Sequence, residues 1–151
     1  MQDGTVCAFQ SILGPYHFYA DEHRGFLFCE NETNPRRMHG RPDAAGYFKD
    51  AFHEYLIQGN YSAVNPGATG TKTAAQYILK IPPGVAQSVR VGLFKEKRKD
   101  PFASFDHVLE QRREEADEFY AELQHGIACE HSRKVQRQAF AGMIWSKQFF
   151  L

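Results

Sequence analysis

Two pairs of carboxylates in this chain have a spacing that a helix would turn into adjacency. Asp50 and Glu54 lie four residues apart, and Glu115 and Glu118 lie three apart. Side chains at those intervals are neighbours on a helix surface, and two neighbouring carboxyl groups can divide the roles of general acid and general base. Solvated helix faces carry the same spacing as a matter of course, because Asp and Glu are almost always exposed. A third cluster, "ENETN" at residues 30–34, sets two carboxylates and two amides behind an apolar run. It could hold a sugar or an ion. The plainer expectation is that Asn and Thr hydrogen-bond their own loop backbone.

Other chemistries are weaker. "NPGATGTK" at residues 65–72 has the glycines and lysine of a phosphate loop but not its order. Gly67 and Gly70 are too close together, and Lys72 does not follow the second glycine. No GxSxG elbow is present, and no Cys–His pairing marks a nucleophile. Cys7, Cys29 and Cys129 are far apart without a CxxC, which argues against a disulfide framework and for a reducing compartment. "HGIACEH" places Cys129 and His131 two residues apart with His125 nearby, but no second pair stands at zinc spacing. No metal and no cofactor is expected, and no residue is assigned as catalytic.

These residues need elements to hold them. Aromatic-rich runs at 15–20 and 25–30 read as strands, and "DEHRG" between them suits a hairpin loop. Phe26 and Phe28 share one face of the second strand and Leu27 and Cys29 the other. Both faces are largely apolar, with Glu30 on the side of Phe26 and Phe28, which predicts a strand inside a stack of two sheets. Residues 30–43 read as a loop, punctuated by Pro35, Gly40 and Pro42. Phe48, Phe52, Tyr55 and Leu56 then follow helical spacing, so a short helix is expected near 46–58, stopped by Gly59. Strands are expected at 74–81 and 87–93, joined by the "PPG" turn at 82–84, with Val89, Val91 and Leu93 alternating along the last one.

At "KEKRKDP" the pattern changes. A charged linker at 95–101 leads to Asp100-Pro101, read as N-cap and first helical residue. Phe105, Leu109, Ala116, Phe119 and Leu123 then mark one helix face against the charged "EQRREEADE". A last helix is expected from about residue 132, and its run from Ala139 to Trp145 is apolar all round, hence buried all round. The fold class is therefore α+β: strands through residue 94 with one helix inserted near 46–58, then the linker at 95–101, then helices over 102–151.

The 18 basic and 18 acidic side chains cancel, which gives no electrostatic reason to expect nucleic acid or an anionic membrane as partner. No apolar run reaches the ~20 residues needed to span a bilayer. No basic leader opens the sequence, so a cytoplasmic location is expected. The ending "GMIWSKQFFL" carries Met143, Ile144, Trp145, Phe149, Phe150 and Leu151 with no cap or stop after them. Such a helix is expected to meet a partner, or to self-associate through its apolar surface.

Four stretches stand in a telling order: "ENETN", "NPGATGTKTAAQY", "DPFASFDHVLEQRREEADEFY" and "RQAFAGMIWSKQFF". Over residues 14–151 the chain resembles the bacterial glucosidase-like members of glycoside hydrolase family 63, which include processing α-glucosidases and are related to mannosylglycerate hydrolases. Any one stretch alone is weak; the four in sequence are specific.

That resemblance implies an N-terminal β-sandwich, a linker region and an (α/α)6 barrel. It implies hydrolysis of α-linked glucosyl or mannosyl substrates with inversion, by a carboxylic acid and a carboxylate far enough apart to admit water. The family's two carboxylates belong to barrel segments beyond "WSKQFF", so none is assigned here. The chain is then expected to be an interior piece: the end of an antiparallel sandwich and the first helices of an incomplete barrel, inactive alone. Phe140, Ile144, Trp145, Phe149 and Leu151 would pack against the remaining barrel helices. Trp145, Lys147 and Gln148 are the candidates for contact with an oligosaccharide: Trp145 by stacking, the other two by hydrogen bonds. Trp145 as plain barrel core is the rival reading. A non-catalytic carbohydrate-binding or protein-interaction module is the alternative for the whole chain.

Overall fold

A computed structural model describes residues 4–146. The chain is α+β. Five strands and two short helices come first, and two long helices follow. These fall into two compact units divided after Phe102.

In the first unit, β1 (Thr5–Gln10), β2 (Gly14–Ala20) and β5 (Val91–Phe94) form one antiparallel sheet in the order β1-β2-β5. The second sheet pairs β3 (Gly25–Cys29) with β4 (Lys72–Gln76). The hairpin expected between β2 and β3 does not form, because the two strands belong to different sheets. Each end of their connection bonds to its own sheet: the Asp21 N–H donates to the Arg90 carbonyl at 2.9 Å, and the Arg24 N–H to the Gln76 carbonyl at 2.8 Å. β2 pairs instead with β1, in a register from Thr5–Tyr19 to Gln10–Gly14. Their turn is held by the Gln10 side chain, whose Oε1 accepts from the Ile12 and Leu13 N–H groups at 2.7 and 2.6 Å.

β3 is covered on both faces. Phe26 meets Phe18 of the first sheet edge-on at 5.8 Å between ring centres. The opposite face buries Leu27 and Cys29, and helix α2 (Ala51–Ile57) packs against this strand, with Ala51 buried. The second cover is thus a helix where another sheet layer was expected. The Gly59 stop holds: Gly59 is left-handed at φ 68, and the Asn60 N–H folds back to the Glu54 carbonyl at 3.0 Å.

Other boundaries move. Residues 35–39 are helical (α1, Pro35–His39) inside the expected loop. Asn34 is its N-cap and accepts from the Arg36 N–H at 3.0 Å; Pro35 opens the helix, where its missing N–H has no partner to lose. β4 begins earlier than expected and ends at Gln76, which leaves Ile78, Leu79 and Ile81 exposed outside any strand. In β5 the alternation points the other way. Val91 and Leu93 are exposed, while Phe94 turns inward to Tyr19, edge-on at 5.8 Å. After β5, Arg98 is tied back to this sheet. Its N–H donates to the Tyr19 hydroxyl at 2.7 Å, and its guanidinium lies 4.4 Å over the Phe94 ring.

The second unit is a pair of helices, α3 (Phe105–Leu123) and α4 (Glu130–Trp145). α3 starts after Ser104, so Asp100-Pro101 is not its cap. The helices meet through a mixed seam. Tyr120 stacks on Phe140 at 6.5 Å, Asp117 pairs with Arg137, and the Gln124 amide donates to the Arg133 carbonyl at 2.8 Å. The face expected to be buried is largely open: Leu109, Phe119 and Leu123 are exposed. So are Met143, Ile144 and Trp145, which corrects the expectation of a helix buried all round. Among the described residues neither helix has a buried hydrophobic side chain.

Candidate functional site

In the first unit a cleft of about 560 Å³ lies between the start of α1, the start of α2 and the turn at Tyr61–Ala63. Asn34, Arg36, Tyr47, Asp50, Glu54 and Asn60 are on its wall. Backbone pairing sets the frame: the Glu30 N–H donates to the Tyr47 carbonyl at 2.7 Å, and the Lys49 N–H to the Glu32 carbonyl at 3.0 Å. Residues 47–49 therefore run alongside 30–32 and deliver Asp50 next to Asn34.

The Asn34 amide donates to both Asp50 carboxylate oxygens, at 2.9 and 3.2 Å, and the Arg37 guanidinium stands 3.9 Å from the same carboxylate. Asp50 is thus a joint between α1 and α2, and makes no side-chain cap on its own helix. Glu54, one turn along, has no hydrogen-bond or ion-pair partner for its carboxylate among the described residues. The Ser62 hydroxyl donates to Asn60 Oδ1 at 2.8 Å, which leaves the Asn60 amide N–H groups free to donate. Arg36 donates to the Gly46 carbonyl at 3.1 Å and lies 5.2 Å over the buried Phe48 ring. The arrangement offers fixed donors and acceptors to a ligand. It pairs no nucleophile with a base.

The other sequence candidates fall elsewhere. Glu30 and Asn31 of "ENETN" are locked onto "NPGATGTK". The Thr71 hydroxyl and N–H both donate to Glu30 Oε2, at 2.7 and 3.2 Å, and the Asn31 N–H donates to the Thr71 hydroxyl at 2.8 Å. Asn65 closes the turn, accepting from the Gly67 N–H at 2.9 Å and donating to the Thr69 carbonyl at 2.8 Å. The Gly67, Ala68 and Thr71 N–H groups are engaged internally, and the Glu30 carboxylate occupies the end of the loop. Glu115 pairs with Arg112 on an open helix face, beside the exposed Glu118. Trp145 is 89% exposed; Lys147 and Gln148, like Phe149 and Leu151, lie outside the described residues. Among the described residues no group of three His, Cys, Asp or Glu is placed to hold a metal ion.

The three cysteines are free and differ in environment. Burial pushes the Cys29 thiol up, against the pull of nearby Lys72. Cys129, exposed at the start of α4, is lowered, first by the Ser132 backbone N–H, then by the Ser132 hydroxyl and the His131 N–H. Cys129 stands at the N-cap position of α4 in extended backbone and makes no side-chain cap bond to the helix.

Arg36, Tyr47, Asn60 and Ser62 were not singled out in the sequence. One signal was available for their neighbourhood: Asn34-Pro35 is an N-cap followed by a first-turn proline, which would have revealed α1 and the turn that faces α2.

The chain is similar to an uncharacterized protein of Saccharomyces cerevisiae, 38% identical over an alignment of 136 residues that covers 82% of this chain. It spans 12% of that protein's length. No protein-family model matches the chain, and no solved structure matches it. Among the described residues no helix is long and apolar enough to cross a membrane.

Proposed function

We propose that this chain is a non-catalytic stretch of a glycoside hydrolase resembling family 63, the end of its β-sandwich and the first helices of an (α/α)6 barrel. The observation that carries the reading is the helical unit. α3 and α4 are long and regular, yet Leu109, Phe119, Leu123, Met143, Ile144 and Trp145 are all exposed on them. Fully burying each such side chain is worth roughly 1.5–3 kcal/mol, so the pair has the character of helices that further helices complete. Two small sheets ahead of them fit the end of a sandwich. The yeast relative, of which the chain spans 12%, supports a much longer parent polypeptide.

On this reading the parent hydrolyses an α-linked glucoside or mannoside with inversion, and its acid and base lie outside this chain. The test is hydrolysis of an aryl α-glucoside and of mannosylglycerate, with the anomer of the released sugar read by proton NMR. A longer polypeptide carrying this sequence is expected to release the β-anomer first, and the 151-residue chain to stay at background. Turnover by the 151-residue chain that Asp50→Asn or Glu54→Gln abolishes would overturn the reading, as would a longer polypeptide inert toward both substrates.

A second reading, a non-catalytic carbohydrate-binding module, is favoured by the cleft at Asn34, Asp50 and Glu54, whose side chains are arranged to bind and not to react.

A further inference from the structure

We propose that this cleft is a binding site for a neutral sugar, which deepens the second reading by naming its site and ligand class. The volume, about 560 Å³, lies within the roughly 300–1,000 Å³ range of small-molecule sites. The lining selects the chemistry. Arg36 and Arg37, the latter 3.9 Å from Asp50, balance the carboxylates of Asp50 and Glu54, so the site has no surplus positive charge to hold a phosphate or another anion. The described residues there include no metal-binding group of three His, Cys, Asp or Glu.

What remains open is a mixture of acceptors and donors. The Glu54 carboxylate has no partner among the described residues and accepts; the Asn60 amide, its oxygen taken by Ser62, donates. A hydroxyl both donates and accepts, so a polyhydroxylated ligand can satisfy both at once. The half-buried Tyr47 adds an aromatic surface for the apolar face of a pyranose. Part of the wall, Asp50 and Arg36, is held in place before any ligand arrives. Asn34 clamps Asp50 at 2.9 Å, and Arg36 is fixed by the Gly46 carbonyl and the Phe48 ring, so little ordering accompanies binding.

The experiment is a titration of the isotope-labelled 151-residue chain with maltose and with methyl α-mannopyranoside, followed by amide NMR. Saturable shifts are expected at Tyr47, Ala51, Glu54 and Ser62 for at least one sugar, and none with inorganic phosphate. Glu54→Gln removes the charged acceptor and is expected to weaken binding about tenfold, the scale of one hydrogen bond to a charged group. Asn60→Ala removes the donor and is expected to weaken it about fivefold, the scale of a neutral one. Glu54 makes no side-chain bond, so its variant keeps the parent spectrum away from the cleft, and Asn60→Ala reads the same contact independently. Silence with both sugars, equal binding by both variants, or displacement by phosphate would each overturn the proposal. No hydrolysis is involved, so failure here leaves the glycosidase assay standing, and failure there leaves this site standing.

Discussion

Gly70 lies against the backbone of Cys29 at the end of β3, and replacing it by alanine tests whether the interlock of residues 65–72 with residues 30–31 carries stability. A Cβ at Gly70 would sit 2.4 Å from the Cys29 carbonyl oxygen, 2.8 Å from its carbon and 3.2 Å from its nitrogen. All three are backbone atoms of a paired strand, so no side chain can swing aside. Reaching ordinary contact at 3.4 Å requires a displacement of about 1 Å. Thr71 is the next residue, and its bonds to Glu30 and Asn31, at 2.7 and 2.8 Å, do not survive a shift of that size. Overpacking costs about 1–3 kcal/mol, and each lost hydrogen bond about 0.5–1.5 kcal/mol. The expected loss for Gly70→Ala is therefore about 3 kcal/mol, a large part of the 5–15 kcal/mol typical of a domain.

Urea unfolding followed by circular dichroism measures it, and the reaction of Cys29 with a thiol reagent gives a second reading. Cys29 is fully buried in the parent and becomes accessible if β3 is pushed from its covering loop. Gly126→Ala is the control. No atom lies within 4 Å of its added Cβ, so it should change stability by less than about 0.5 kcal/mol. If Gly70→Ala unfolds within 0.5 kcal/mol of the parent, the interlock argument fails.

Two further outcomes are expected. The thiolate is the form that alkylates, and a lowered pKa populates it at lower pH. Cys129 should therefore be carboxymethylated at a pH where Cys29, raised by burial, stays unmodified, and Ser132→Ala should move the Cys129 profile upward; peptide mass spectrometry over a pH series checks both. The 151-residue chain should self-associate with concentration through the open surface of α4, and Ile144→Glu with Trp145→Glu should reduce this in light scattering; a parent chain that stays monomeric would refute it.

The class of the fold and several of its elements were legible because hydrophobic period survives without tertiary context. The aromatic run of β3, the α2 spacing ended by Gly59, and the long charged helix α3 all follow it. Pairing was not legible. "DEHRG" looks like a hairpin loop, but strand partnership was decided by residues far away, Arg90 and Gln76. β1 was missed although Gly14-Pro15 closes its turn, because Ile12 and Leu13 within the turn are apolar and are held by a glutamine side chain. In β5 and α3 the apolar face was visible and its direction was not, since period says which residues share a face and not which face meets the core. Asp50 and Glu54 were found by spacing alone. Their separate fates, one clamped and one open, depend on Asn34, sixteen positions upstream of Asp50.

The motifs that most resemble chemistry in this sequence are the ones whose polar groups are already engaged. Glu30, Asn31, Asn65 and Thr71 bond to one another and to backbone, and Gly70 is small because a strand carbonyl lies against it. Such residues make a recognisable signature for a reason of packing: each would leave a neighbour unsatisfied or displaced if changed. The groups left open, Glu54 and Asn60, lie outside those motifs and on an unremarkable helix and turn. A signature of this kind identifies a scaffold and says little about where its ligand sits. On the proposed reading, an acid and base for a longer polypeptide would be sought beyond these stretches, and a sugar-binding role of this chain in the cleft that α1 and α2 frame.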